Sequence, residues 1–160
     1  MNDRQEIFRL EHVSKTFKGS AGDVKALDDI SLSISEGEIF GIIGMSGAGK
    51  STLVRTLNRL ESISEGSVFF EDRDISRLSE KELRLMRQSI AMIFQGFNLL
   101  TQKTVLANVM LPMKIAGIDR QKRQERALEM LNLVGLSDKA EAWPAQLSGG
   151  QKQRISIARA

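Results

Sequence analysis

The feature that most restricts the fold is a glycine-rich segment that separates two different hydrophobic patterns. Residues 44–52 read GMSGAGKST and contain three glycines. Before them, residues 39–43 form a continuous apolar run, which is typical of a strand covered on both faces of a sheet. The apolar residues after them share one helical face: Leu53, Val54, Leu57 and Leu60. The order of strand, tight turn and helix predicts an α/β fold.

The same segment matches the pattern of glycine, four residues, Gly-Lys, then Ser or Thr, which is typical of a phosphate-binding loop. Its glycines let the backbone approach a phosphate without a Cβ in the way, and the N–H groups would then bind phosphate oxygens. Lys50 would neutralise the β- and γ-phosphates, and the Ser51 hydroxyl would coordinate Mg²⁺. The candidate ATP ligands are Gly44, Met45, Ser46, Gly47, Ala48, Gly49, Lys50, Ser51 and Thr52.

Two other features have less specific interpretations. Gln95 follows the apolar run 90–94, a second candidate for a buried strand. A neutral amide there could ligate a metal or orient a water, or it could be an ordinary loop residue. Residues 147–151 read LSGGQ, where Ser148 could cap a helix and leave its first N–H groups open to an anion. An ordinary capped helix is the alternative for this segment.

Helix signals fill the rest of the chain. Ser79 and Glu82 have the spacing of a capping box before a short helix. An apolar stripe over residues 105–113 predicts a helix that Pro112 bends or ends. A longer helix is expected over 119–134, with Gly135 as its stop. Its inward face is expected to comprise Ala127, Leu128, Leu131 and Val134.

The three motifs, in this order, resemble those of the ATP-binding-cassette (ABC) family of transporter ATPases. The resemblance covers essentially the whole chain and includes the stretches 26–32, 93–100 and 151–154. Within the family, the chain looks most like the ATPases of bacterial methionine importers, at residues 93–100, 104–105, 108–109 and 133–136. Polar amino-acid importers and lipoprotein-release ATPases share parts of these sequence stretches.

The resemblance implies a P-loop NTPase fold of the ABC ATPase type, with an N-terminal antiparallel β subdomain and a helical subdomain. Residues 1–95 would form the β subdomain and P-loop core, 96–146 the helical subdomain, and 147–160 the signature motif and its helix. The family's Walker B strand, general base and switch histidine would follow residue 160. The core sheet is therefore expected to be incomplete at the C-terminus, and this chain to be at most a weak nucleotide binder without hydrolysis.

The resemblance also implies roles for individual residues. Phe17 would stack on adenine, with core packing as the alternative, and Val24 would back the same ring. Lys50 and Gln95 would be the catalytic residues present, and Gln95 with Ser51 would contact Mg²⁺. The signature residues would bind the ATP of a partner subunit in trans: Ser148, Gly149, Gly150 and Gln151.

The implied function is that of an ATP-binding subunit that couples ATP binding and hydrolysis to the import of a small solute, methionine. Its expected partners are a second ATPase subunit in a head-to-tail dimer, a membrane permease and, indirectly, a solute-binding protein. It would lie on the cytoplasmic face of the bacterial cell membrane. The alternatives are a non-catalytic nucleotide-binding or regulatory module, or an ABC ATPase of lipoprotein release or cell division.

Composition excludes several other classes. The chain of 160 residues has no Cys, which rules out disulfide scaffolds and thiolate metal sites. Its net charge of +3 is too small to indicate nucleic-acid binding, and no nucleic-acid partner is expected. The charged start lacks the apolar region of a secretory leader, and no apolar run is long enough to span a membrane.

Overall fold

The computed structural model describes residues 5–20 and 22–160. The charged start at residues 1–4, from which no leader is expected, lies outside the described residues. Two compact units make up the chain, Met1–Arg87 and Gln88–Ala160. In the described ranges, no helix is both long and apolar enough to cross a lipid bilayer.

The first unit contains an antiparallel sheet of four strands in the order β2-β1-β3-β4. The strands are β1 Glu6–Phe17, β2 Val24–Ser35, β3 Glu65–Phe70 and β4 Arg73–Asp74. Leu10 and Val13 of β1 and Val68 of β3 are almost completely buried. The register of β1 with β2 is irregular between Leu10 and Val13. This sheet confirms the predicted N-terminal antiparallel β subdomain.

The described residues of this unit form two helices, α1 Lys50–Leu57 and α2 Glu80–Met86. Leu53 of α1 is buried as expected, whereas Val54 is 37% exposed and Leu60 lies beyond the end of the helix. The one-face prediction for this helix was therefore wrong at those two positions. At α2 the capping box is confirmed, since Ser79 accepts from the N–H of Glu82 and the Glu82 carboxylate accepts in return.

The apolar runs 39–43 and 90–94 were predicted to be buried strands, and this prediction was wrong. Neither run belongs to the sheet or to any other strand of the described residues. Ile39 is fully exposed, Ile43 is 96% exposed and Ile93 is 46% exposed. A run that is apolar on both sides becomes a strand only where neighbouring strands accept its N–H and C=O groups. Here no strand of the described residues pairs with either run.

The second unit is helical, with four α-helices and two short 3₁₀ turns. The α-helices are α3 Val105–Val109, α4 Leu111–Ile115, α5 Arg120–Leu133 and α6 Gly149–Arg159. The 3₁₀ turns are Ser137–Lys139 and Pro144–Gln146. The fully buried part of its core comprises Val105, Ala127, Leu131 and Ile155.

Local signals predicted most of these helix ends. The stripe over 105–113 is broken at Met110, and Pro112 occupies the first turn of α4, where its missing N–H costs nothing. Asp119 caps α5, and Gly135 follows it in the left-handed conformation at φ 67°. Leu128 is 40% exposed, so its predicted inward position was wrong.

Candidate functional site

The glycine-rich segment forms a turn that only glycines adopt without strain. Gly47 and Gly49 both have φ near 81°, and Gly44 has φ 154°. The turn is closed by the N–H of Ala48, which donates to the carbonyl of Met45 at 3.2 Å. Gly49 is the N-cap of α1 and provides no side-chain acceptor, so the first N–H groups of α1 remain open to a ligand.

A close approach of two backbones explains why residue 49 must be glycine. A Cβ built at this position would lie 2.2 Å from the carbonyl oxygen of Ala26 in β2. The same atom would lie 3.3 Å from the side chain of Leu27. The glycine therefore allows α1 to begin directly against β2, which fixes the loop on the sheet.

Lys50 folds back across the loop that precedes it. Its ammonium donates to the carbonyl of Gly44 at 2.8 Å and to the carbonyl of Met45 at 2.6 Å. An ammonium has three protons, so these two carbonyls leave one for a ligand oxygen. The structure thus places a positive charge at the centre of the turn, beside the open N–H groups of α1.

Ser51 and Thr52 are the second and third residues of α1. Ser51 is exposed, which leaves its hydroxyl accessible next to Lys50. A neutral hydroxyl oxygen is a ligand that Mg²⁺ accepts when nucleotide phosphates supply most of the other oxygens. The chemistry of this residue fits the predicted metal, and no cluster of carboxylates or imidazoles that could hold a metal occurs in the described ranges.

Phe17 and Val24 lie opposite each other across β1 and β2. Phe17 is the last residue of β1, Val24 is the first of β2, and the two are partners in the register of the sheet. Phe17 is 40% exposed and Val24 is 63% exposed. The pair therefore presents an apolar surface, and the exposure of Phe17 argues against complete core packing of its ring.

Sequence reasoning missed a buried ion pair beneath this surface. Lys15 is only 8% exposed, and its ammonium lies 2.7 Å from the carboxylate of Glu61 and 3.3 Å from the hydroxyl of Ser62. The same ammonium lies over the ring of Phe17, at 4.8 Å from the ring centroid. The strand period of two puts Lys15 on the face of Phe17, but no local signal indicates Glu61.

Gln95 lies in the second unit, in a tight exposed turn. The turn is closed by the N–H of Phe97, which donates to the carbonyl of Phe94 at 3.1 Å. Phe97 and Asn98 both have positive φ, at 62° and 50°, a conformation that costs energy in residues other than glycine. The exposed position of Gln95 agrees with a loop residue able to contact a ligand.

Two side chains of α6 hold this strained pair, and sequence reasoning missed both. The hydroxyl of Ser156, which is 1% exposed, donates to the carbonyl of Phe97 at 2.9 Å. Arg159 donates to the carbonyls of Asn98 and Phe97 at 2.6 and 3.1 Å. Partial burial lowers the pKa of the Arg159 guanidinium from its usual value. These contacts tie the segment after Gln95 to the helix that begins at the LSGGQ segment.

The LSGGQ segment starts α6 with a complete capping box. The N–H of Gln151 donates to the Ser148 hydroxyl at 3.3 Å, and the N–H of Ser148 donates to the Gln151 side chain at 2.9 Å. Gly149 and Gly150 are the first two helical residues, and both are exposed. A Cβ at Gly150 would have nothing within 4 Å. The predicted cap is confirmed, and its exposed glycines leave the end of α6 accessible.

The sequence comparisons identify relatives along nearly the whole chain. The profile of the ABC transporter family matches residues 27–160. The methionine import ATP-binding protein MetN 2 of Enterococcus faecalis is 57% identical over 96% of this chain and 45% of its own length. MetN of Halalkalibacterium halodurans is 55% identical over 96% of this chain and 46% of its own length. The chain thus spans about half the length of these curated relatives.

Solved structures give the same result for the fold. The dimeric structure of MJ0796, a bacterial ABC transporter cassette, matches with a TM-score of 0.91 and 38% identity, over 95% of this chain and 68% of that chain. A dimeric post-hydrolysis state of the same cassette, bound to ADP and Pi, matches with a TM-score of 0.90 over the same shares. The predicted fold class is therefore confirmed. The chain belongs to the ABC transporter family.

Proposed function

We propose that residues 44–52 bind the phosphates of ATP, and that the chain belongs to the ATP-binding subunit of an importer for a small solute. The observation that carries this proposal is the position of Lys50, whose ammonium lies on the carbonyls of Gly44 and Met45 beside the open N–H groups of α1. A cation and the uncapped N–H groups of α1 thus belong to one short loop and the helix that follows it. This donor set fits a polyphosphate.

The solute is proposed from the relatives. Those 55–57% identical to this chain are named methionine import ATP-binding proteins, so methionine is the solute proposed here. The chain covers 45% of the length of the first of these relatives. We therefore propose ATP hydrolysis that drives this import for the whole subunit and not for residues 1–160 alone.

The candidate residues have separate roles in this proposal. The N–H groups at the start of α1 bind phosphate oxygens, and Lys50 neutralises the charge that accumulates on the β- and γ-phosphates. Phe17 binds the adenine by stacking, and Val24 extends the apolar surface on which the base lies. The Ser51 hydroxyl would be a ligand of Mg²⁺, which would supply further neutralisation of the phosphates when bound.

The proposed partners follow from the exposed end of α6 and from the dimeric cassettes. Ser148, Gly149 and Gly150 would contact the γ-phosphate of ATP bound to a second subunit in a head-to-tail dimer. The dimeric structures of MJ0796 support such an assembly. A permease would contact the helical unit and the loop at Gln95, which would bring the subunit to the cytoplasmic face of the membrane.

Calorimetric titration of the chain with MgATP tests the phosphate site. Lys50→Ala should weaken binding by about tenfold to a hundredfold, because a hydrogen bond to a charged group contributes about 1.5–3 kcal/mol. Lys81→Ala on α2 is the matched control, since it removes the same charge from an exposed position of the same unit. Unchanged affinity in Lys50→Ala would refute the phosphate site.

Transport of the solute is tested in cells. Lys50→Ala introduced into the gene should abolish uptake of labelled methionine and leave uptake of an unrelated amino acid unchanged. If methionine uptake stayed normal and the uptake of another solute were lost, the proposed ATP site would stand and that other solute would replace methionine in the proposal.

A further inference from the structure

Lys15 is a buried cation in the first unit, and its ammonium lies over the ring of Phe17. The Lys15 side chain is 10% exposed, whereas that of its partner Glu61 is 26% exposed. Besides Glu61, the ammonium contacts the hydroxyl of Ser62 and lies 4.8 Å from the centroid of the Phe17 ring. A cation at this distance over a ring is attracted to its face.

The ion pair links the ring to the end of α1. The N–H of Glu61 donates to the carbonyl of Arg55 in the last turn of α1, at 3.1 Å. Three residues further on, the N–H of Ser64 donates to the carbonyl of Ser14 at 2.8 Å, and its hydroxyl accepts from the N–H of Thr16 at 3.0 Å. The segment after α1 is thus fixed along the end of β1, and the Lys15 side chain reaches from β1 to Glu61 in that segment.

We propose that Lys15 is a positioning residue for nucleotide binding: it holds one face of the Phe17 ring and thereby presents the other face to the adenine base. The proposal rests on the proposed function, in which Phe17 stacks on the base. Glu61 and Ser62 keep the ammonium in place, and Val24 stands opposite Phe17 on the neighbouring strand. Phe17 is 40% exposed, which leaves ring surface for the base.

The physical effect of Lys15 is preorganisation. An exposed aromatic side chain with two free torsions loses conformational freedom when a ligand stacks on it, and this loss weakens binding. A ring already held by a cation has less freedom to lose. Because the contact lies at the base and not at the phosphates, Lys15 should affect the binding of ATP and leave the binding of inorganic tripolyphosphate unchanged.

This difference separates a positioning role from a merely structural one. If Lys15 only supported the end of α1, its removal would disturb the phosphate loop at the start of the same helix and weaken both ligands equally. The test is calorimetric titration of the chain with MgATP and, separately, with magnesium tripolyphosphate. Lys15→Gln should bind ATP about threefold to tenfold more weakly than the wild type and bind tripolyphosphate equally well.

Three further variants complete the experiment. Lys15→Arg keeps the cation and should retain the ATP affinity. Lys25→Gln removes a cation from the adjacent strand, where it pairs with Asp28, and should change neither affinity. The double variant Lys15→Gln with Glu61→Gln leaves no unpaired carboxylate, so it replaces the single variant if that one does not fold. It should show the same selective loss of ATP affinity.

The outcomes distinguish the two proposals. Equal weakening of both ligands in Lys15→Gln, or no weakening of either, would overturn the positioning role. A wild-type protein that binds ATP no more tightly than tripolyphosphate would overturn the base contact and the role of Lys15 with it, while the phosphate site would stand. A wild-type protein that binds neither ligand would refute the proposed function itself.

Discussion

Adding one methyl group at Gly49 or at Gly47 should have different effects on stability, although the two glycines share the same φ of 81°. At Gly47 a new Cβ would have no atom within 4 Å. At Gly49 it would lie 2.2 Å from the carbonyl oxygen of Ala26. The pair of variants therefore separates the cost of the left-handed backbone from the cost of the overlap with β2.

The expected magnitudes follow from these two terms. A left-handed residue other than glycine costs about 1–2 kcal/mol, and this is the whole effect expected for Gly47→Ala. An overlap that forces the backbone to shift adds about 1–3 kcal/mol. Gly49→Ala should therefore lower the free energy of unfolding by about 2–5 kcal/mol.

Urea unfolding with amide hydrogen exchange measures both variants, and the exchange of β1 and β2 peptides reports on the first unit by itself. Gly49→Ala should increase exchange along β2 around Ala26, and Gly47→Ala should leave this region close to wild type. Equal destabilisation by both substitutions would mean that the contact with Ala26 contributes nothing to stability. A larger effect at Gly47 would contradict the prediction as well.

Three further predictions concern stability. Asn108 is fully buried, and its side-chain amide forms hydrogen bonds with backbone groups of residues 100–104. Asn108→Ala should therefore lower the free energy of unfolding by about 2–4 kcal/mol. Urea titrations followed by the fluorescence of Trp143 measure this, and a loss under about 0.5 kcal/mol would contradict it. Glu71 and Asp72 form the β3–β4 turn with φ of 49° and 60°, a conformation that Asn and Gly adopt with less strain. The double substitution Glu71→Asn with Asp72→Gly should therefore raise the free energy of unfolding by about 1 kcal/mol and move the urea midpoint upward; a lowered midpoint would refute the strain. The N–H groups that follow Asp119 lower its pKa, so its stabilisation of α5 should be complete above its unfolded pKa and be lost as the pH falls below about 4. Amide exchange at the start of α5 should show this pH dependence in the wild type and not in Asp119→Asn.

The parts of the site that the sequence predicts are those with local causes. The turn at 44–52 depends on its own glycines, and the end of α6 depends on Ser148 and Gln151, three residues apart. The capping box of α2 is of the same kind. Each requires only neighbours in the chain, so the pattern of residues contains the necessary information.

The parts that the sequence does not predict depend on residues far along the chain. Lys15 and Glu61 meet only because the segment after α1 runs along β1. Ser156 and Arg159 reach the Phe97 carbonyl through the packing of the second unit. For the run 39–43 the sequence predicts a burial that the structure does not show. Its apolar composition indicates a buried strand, but a strand is buried only where neighbouring strands pair with it.

Amide chemical shifts measure directly whether the loop 44–52 and the open N–H groups at the start of α1 bind the phosphates of ATP. In a nitrogen-15-labelled chain, magnesium tripolyphosphate and MgATP should both shift the amide resonances of Gly47 to Thr52, and ATP alone should also shift those around Phe17 and Val24. Lys50→Ala should reduce the shifts at the loop at equal ligand concentration. ATP-induced shifts elsewhere that leave 47–52 unchanged would contradict phosphate binding by this loop.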